Sequence, residues 1–159
     1  MIKIDANLLK KMSDKARLAK RKRTHLTFHK TDDDTLQRML NAMQPETYLQ
    51  PHKHEDPDKR EVFICLTGKM LVVEFDHNGE IADYMILDAE SKDYAAEIAP
   101  RVYHTVICLE PNSIAYELKD GPYNPIDDKN FASWTPKEGE AGCEEYNQKI
   151  LNELNIQIS

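Results

Sequence analysis

The stretch YLQPHKHEDPDKREVFICLTGKMLVVEF, residues 48–75, decides the fold. His52 and His54 flank Lys53, and in an extended chain residues two apart project to the same side. Both imidazoles can therefore face one point. Glu61 then opens EVFICL (Glu61 to Leu66), a run of β-branched and aromatic residues that reads as a strand. Thr67-Gly68 reads as a hairpin signal, and Lys69 to Phe75 (KMLVVEF) is the strand after it. These runs are apolar on both faces, the pattern of strands covered on both sides.

The same grammar extends outward. Asp76-His77-Asn78-Gly79 is a strong turn, because Asn-Gly tolerates the positive φ that hairpin turns need. Glu80 to Leu87, Tyr94 to Ile98, His104 to Leu109 and Ser113 to Lys119 follow as strands, punctuated by Pro100 and Pro111-Asn112. Upstream, Thr24 to His29 and Leu36 to Met43 alternate with period two, and Thr47 to His54 is extended but broken by Pro51. About nine short strands with frequent turns predict a mainly β chain folded as an antiparallel sandwich or barrel. Before the strands, Asp5 is placed to cap a helix, with Leu8, Leu9, Met12, Ala16 and Ala19 at helical spacing. After Gly121-Pro122 the chain is irregular until a short helix over roughly Glu144 to Leu154. The expected organisation is one domain: a helical segment 1–23, a barrel 24–120 and an extension 121–159 packed on it.

Composition narrows the function classes. Of 159 residues, 40 % are hydrophobic and 31 % charged, enough apolar material for a core. The net charge of −7 argues against nucleic acid as the partner. The basic run Lys20 to Arg23 lacks interleaved aromatic residues and reads as a solvated helix face, or as a contact with the acidic body of a second subunit. Three cysteines, Cys65, Cys108 and Cys143, without a CxxC pair, argue against disulfides or a thiolate zinc site, and Cys65 and Cys108 in apolar runs read as buried thiols. Neither a secretory leader nor a membrane span is legible, so a cytoplasmic setting is expected. Strands apolar on both faces leave one face to pack against the N-terminal segment or a second copy, so a homodimer is expected.

His104 opens a strand just after the turn at Pro100. With His52, His54 and Glu61 it makes three imidazoles and one carboxylate, a shell suited to one divalent Zn, Fe, Mn or Ni ion. Around a six-coordinate metal, four protein ligands leave two positions for water or substrate. The His-x-His pair alone is weak evidence; Glu61, Gly68 and His104 strengthen it by adding strand and turn context. Tyr48 and Gln50 share parity with the two histidines, and either line a pocket beside the metal or sit on the barrel rim. Arg38 either turns inward to hold a carboxylate or phosphate or lies on the surface. His25 and His29 read as structural, outside the metal shell.

Pro51-His52-Lys53-His54, then Glu61 and Gly68, resembles the first cupin motif, and Pro100-Arg101-Val102-Tyr103-His104 resembles the second. That resemblance implies a jelly-roll barrel whose metal is held by His52, His54, Glu61 and His104. The second motif usually has glycine two residues after its proline, where this chain has Val102. A closer resemblance is to the WbuC-type family of cupin-fold metalloproteins, carried by Gln37 to Ala42, Tyr48 to His54 and GPYNPIDDKNFASWTP (Gly121 to Pro136). Members are often encoded with bacterial O-antigen genes, which implies a small sugar-like ligand. Three functions fit: a metal-dependent isomerase or epimerase acting on a sugar or sugar-nucleotide precursor of surface polysaccharide, a non-catalytic metal-dependent ligand-binding module, and an Fe-dependent oxygenase.

Overall fold

The computed structural model of the chain describes residues 1–124 and 129–158. The middle of the GPYNPIDDKNFASWTP stretch, 125–128, and the last residue of the extension lie outside the described residues. In chain order the elements are α1 (Ala6–Leu18), β1 (Arg23–Thr27), β2 (Leu36–Met43), β3 (His52–Lys53), β4 (Glu61–Thr67), β5 (Lys69–Phe75), β6 (Ile81–Asp88), β7 (Ala95–Ile98), β8 (Tyr103–Cys108), β9 (Ser113–Asp120), β10 (Asn130–Phe131) and α2 (Cys143–Glu153). The strands make two five-stranded antiparallel sheets, ordered β1-β2-β9-β4-β7 and β10-β3-β8-β5-β6. This is the expected mainly β jelly roll with a helix at each end. The extended Thr47 to His54 stretch supplies only the two-residue β3.

The apolar runs are explained by three layers of packing. Inner faces bury Met43, Phe63, Cys65, Met70, Val72, Val106 and Cys108 between the sheets. On the outside of the first sheet, Leu40, Ala42 and Ile114 lie under Met12 and Ala16 of α1. On the outside of the second, Leu71, Val73 and Ile107 lie under Ile150 and Leu151 of α2. Each fully buried Leu, Ile, Val, Phe or Met among them contributes about 1.5–3 kcal/mol on removal from water. The apolar pattern that suggested a second subunit is thus accounted for within the chain. The α1 start follows its sequence signal: the Leu8 amide donates to the Asp5 carboxylate at 2.9 Å, satisfying one orphan helix donor.

Two sequence expectations are corrected. Thr67-Gly68 is not a hairpin, because β4 pairs with β7 and β9 while β5 pairs with β6 and β8. The dipeptide carries the chain from one sheet to the other. Gly68 sits at φ +73, and a Cβ there would lie 2.4 Å from Ser113 Oγ and 2.8 Å from Ser113 Cα. Nor is the basic run a helix face: α1 ends at Leu18, Lys22 turns at φ +55, and Arg23 opens β1. By contrast, Asp76 to Gly79 does join the paired strands β5 and β6, with Asp76 Oδ1 accepting the Asn78 and Glu80 amides. Among the described residues, no helix is long and apolar enough to cross a membrane.

Candidate metal centre

His52, Glu61 and His104 come from three strands of two sheets, His54 follows directly after β3, and the four side chains converge. His52 on β3 faces His104 on β8 in register, and Glu61 opens β4 in the opposite sheet. The His54 carbonyl accepts the Arg101 amide at 3.0 Å, which ties the first motif to the turn before His104. At that turn it is Arg101, at φ +69, that takes the left-handed conformation. Val102 therefore needs no glycine, and the departure from the usual motif leaves the histidine in place.

All four side chains are 3 % exposed or less, and one ligand atom from each lies within 4.8 Å of every other. Glu61 Oε2 lies 2.9 Å from His104 Nε2 and 3.2 Å from His54 Nε2. Two ligands at right angles on a metal with bonds of about 2.0–2.1 Å stand about 2.9 Å apart. His52 Nδ1 donates to the Gln50 carbonyl at 3.0 Å, and His104 Nδ1 donates to the Val102 carbonyl at 3.0 Å. A carbonyl only accepts, so each ring carries a proton on Nδ1 and turns its Nε2 toward the cluster. Such outward N–H anchoring is what orients histidines at metal sites. His52 Nε2 is buried and has no hydrogen-bond partner among the described residues. An orphaned lone pair beside two further imidazoles and a carboxylate is a donor set that a divalent cation completes.

The electrostatics agree. Burial would raise the Glu61 carboxyl, yet His104 and His54 beside it hold it well below the ordinary carboxylate range. Burial, and then Lys129 and His104, push His52 well below the ordinary histidine value, so its ring is neutral and able to ligate.

A cavity of about 470 Å³ opens onto this cluster, with His52 and Glu61 in its wall. Gln50 lines it, its amide donating to the Ala132 carbonyl and to Thr135 Oγ1. Tyr48 is buried away from it, its hydroxyl donating to the Pro136 carbonyl under the C-terminal extension. Arg38 is also outside the lining. Its guanidinium reaches Asp34 and the Phe28 and Leu36 carbonyls, because Arg38 shares parity with Leu40 under α1. The opposite parity of β2 brings Gln37, Met39 and Asn41 inward.

Several cavity residues escaped the sequence reading. Asn41 Nδ2 donates to Glu117 Oε2 at 3.0 Å, and burial together with the Glu61 charge pushes the Glu117 carboxyl up to about 8. Lys119 lines the cavity beside it. The alternation in SIAYELKD (Ser113 to Asp120) was the available signal: Glu117 and Lys119 share parity with the buried Ala115. His25 and His29 line the cavity too, as do Arg21 and Arg23. Those two arginines bind the Glu138 carboxylate, at 2.5 Å from Arg21 Nε and 2.7 Å from Arg23 Nη2, and so fasten the extension near the cavity.

Two antiparallel five-stranded sheets closing around a His, His, Glu, His cluster define a cupin-fold protein. Residues 4–87 match the family described as Domain of unknown function (DUF6016), and the chain belongs to that family. That segment contains three of the four cluster residues. No curated protein matches the sequence. Among solved structures the chain is similar to KdgF from Halomonas sp., at 17 % identity and TM-score 0.51 over 67 % of this chain and 85 % of that one. It is similar to the capsular polysaccharide assembling protein CapF from Staphylococcus aureus, at 20 % identity and TM-score 0.59, covering 72 % of this chain and only 30 % of CapF. It is also similar to Cellulomonas parahominis L-ribose isomerase, at 14 % identity and TM-score 0.56 over 74 % of this chain and 72 % of that one. At these identities the likeness is one of fold.

Proposed function

We propose that this protein is a metal-dependent enzyme acting on a sugar or sugar-nucleotide precursor of bacterial surface polysaccharide, as an isomerase or epimerase. The observation that carries the reading is the buried convergence of three imidazoles and one carboxylate on an open cavity, with His52 Nε2 lacking any other partner among the described residues. His52, His54, Glu61 and His104 would hold the ion, and Zn, Fe, Mn and Ni all suit that donor set. When bound, the metal supplies a Lewis acid for a carbonyl or hydroxyl of the substrate.

The chain's own residues provide the rest. Glu117, oriented by Asn41, is the carboxyl placed to move a proton at a substrate seated in the cavity. Gln50 fixes the extension that borders the cavity and offers its remaining amide valences to hydroxyl groups. The sugar class draws support from the WbuC-type resemblance and from the similar folds, which include a capsular polysaccharide assembling protein and an L-ribose isomerase described with L-psicose. Fold likeness alone does not transmit a reaction, so the test is direct.

Purified protein is analysed for its metal by elemental analysis, loaded, and offered a panel of nucleotide sugars and aldose–ketose pairs, with NMR reading interconversion. Conversion by the loaded protein, lost in a folded His52→Ala variant, is the expected result. Binding without turnover would replace this reading with the ligand-binding module. No binding and no conversion across the panel would reject it.

A further inference from the structure

β10 is two residues long and forms the edge of its sheet, yet it is firmly held. The Ala132 amide donates to the Pro51 carbonyl at 2.9 Å, the Ala132 carbonyl accepts from the Gln50 side-chain amide, and Asn130 Oδ1 accepts the Glu55 amide at 3.2 Å. These bonds fix Phe131 opposite His52 in register. Sheet edges are ordinarily blunted by short strands and charged residues. Here the edge carries a phenyl ring that is 53 % exposed.

A single exposed apolar side chain on an outer surface needs no explanation. Phe131 instead lies in the wall of the cavity, on the same side of its sheet as its cross-strand partner His52. Phe63 and Leu49 in that wall pack into the core between the sheets, whereas Phe131 belongs to none of the three core clusters formed by the described residues. Its ring is held in place by β10 but is not used by the core. Removing an exposed phenyl face from water is favourable, so the ring is a ready contact for an apolar face of whatever enters the cavity.

The position of that ring relative to the metal cluster sets the chemistry of the face it can take. Phe131, His52 and His104 pair in register across β10, β3 and β8 and make one row on one side of the sheet. The Phe131 and His52 rings stand 5.9 Å apart centre to centre at 55°, and the His52 and His104 rings 4.6 Å apart at 52°. Adjacent strands lie about 4.7–4.9 Å apart, the scale of one sugar ring. A molecule with an oxygen at the cluster therefore places the next part of its own skeleton over Phe131, not a distant substituent. A nucleobase, separated from its sugar cargo by a ribose and two phosphates, falls beyond this reach.

We propose that Phe131 is the stacking platform of the site: its ring lies beneath the C–H face of the reacting sugar, while the oxygens of that sugar turn to the His52, His54, Glu61 and His104 cluster. The inference rests on the sugar reading above and adds which surface of the sugar is recognised and by which residue. A sugar presents a rim of hydroxyl groups and a face of C–H groups, and a phenyl ring followed by two imidazoles meets those two kinds of surface in order. An apolar wall with a few convergent polar groups fixes orientation as well as affinity.

The test uses full-length metal-loaded protein and saturation-transfer NMR, with D-glucose, D-galactose, D-mannose and L-ribose as probes and UDP as a separate arm. On irradiation of the aromatic protons of the protein, the ring C–H protons of the bound sugar are expected to receive most of the transfer. Phe131→Ala is expected to weaken sugar binding on the order of tenfold while metal content, read by elemental analysis, stays at the wild-type level. Phe131→Tyr keeps the ring and is expected to stay within about threefold of wild type. Wild-type sugar affinity in Phe131→Ala would overturn the inference and leave the sugar reading standing. So would an equal loss in Phe131→Tyr, a loss of metal alongside the loss of binding, or a loss confined to UDP. A wild-type dimer that Phe131→Ala dissociates in sedimentation, with sugar affinity unchanged, would assign the ring to an interface between copies and overturn it as well. Failure of every probe sugar to bind the wild-type protein would overturn both readings.

Discussion

At His52 the Nδ1–H is taken by the Gln50 carbonyl, and among the described residues the Nε2 lone pair has nothing but the cluster to face. His104 repeats the Nδ1 anchor with the Val102 carbonyl. Both anchors are backbone groups two residues upstream of the ring, so the strand itself sets the tautomer and no side chain is needed to do it. Glu61 supplies the charge that makes the set selective for a cation. Glu61→Gln keeps the shape and removes the charge, so metal content after dialysis is expected to fall at least about tenfold, as read by elemental analysis. Wild-type stoichiometry in that variant would count against the site. His25 gives a pH prediction away from the ligands. Partial burial, and then Arg21, Arg23, Lys129 and His29, hold it below its ordinary value. As pH falls through about 6.5 the unfolded chain takes the proton first, so stability declines from that point downward. His25→Gln is expected to show a smaller loss of melting temperature than wild type between about pH 7.5 and 5.5. Glu138, held below the usual carboxylate range by Arg21 and Arg23 against burial, adds its own loss only at lower pH, below about 4.5.

Among the elements, the β4–β5 junction does the most to place the site. It sends β4, with Glu61, into one sheet and β5, beside the His104 strand, into the other. The junction rests on Gly68, where any Cβ would be both left-handed and inside Ser113. Gly68→Ala is expected to cost about 2 kcal/mol or more, measured by urea denaturation; a change under about 0.5 kcal/mol would show that the crossover tolerates a side chain. Asn112 is the matching fixture at the β8–β9 turn. Its Oδ1 accepts from Ser13 and Arg17 of α1 and so pins the helix to the sheet whose outer face it covers. Thr67-Gly68 shows why a local pattern can mislead: a short turn dipeptide between two apolar runs looks the same whether the runs pair with each other or part into different sheets. Which occurs depends on β8 and β9, some forty residues away in sequence.

Over the whole molecule, the C-terminal extension closes what the strands begin. β10 pairs with β3, Glu138 binds Arg21 and Arg23, and Trp134 packs edge-on against Tyr103 at 4.6 Å. Arg23 is largely buried, so Glu138→Gln leaves a charge poorly compensated. A loss of about 1–2 kcal/mol is expected, with faster limited proteolysis in the extension and altered emission from Trp134, the one tryptophan in the sequence. Unchanged proteolysis and emission would mean that the arginine clamp does not hold the extension. The sequence by itself determined the succession of strands along the chain, the capped first helix, the Asp76 to Gly79 turn and the identity of the clustered His/Glu set. Those depend on period, turn chemistry and residue type, which are local. Only the tertiary structure decided which face of each strand lies inside. Arg38 turned outward because α1 covers that side of β2. Glu117, Lys119 and the arginines of the basic run turned inward because two sheets and an extension enclose one space. The physical reason is that parity fixes which residues share a face, while packing against distant elements fixes which face becomes the interior.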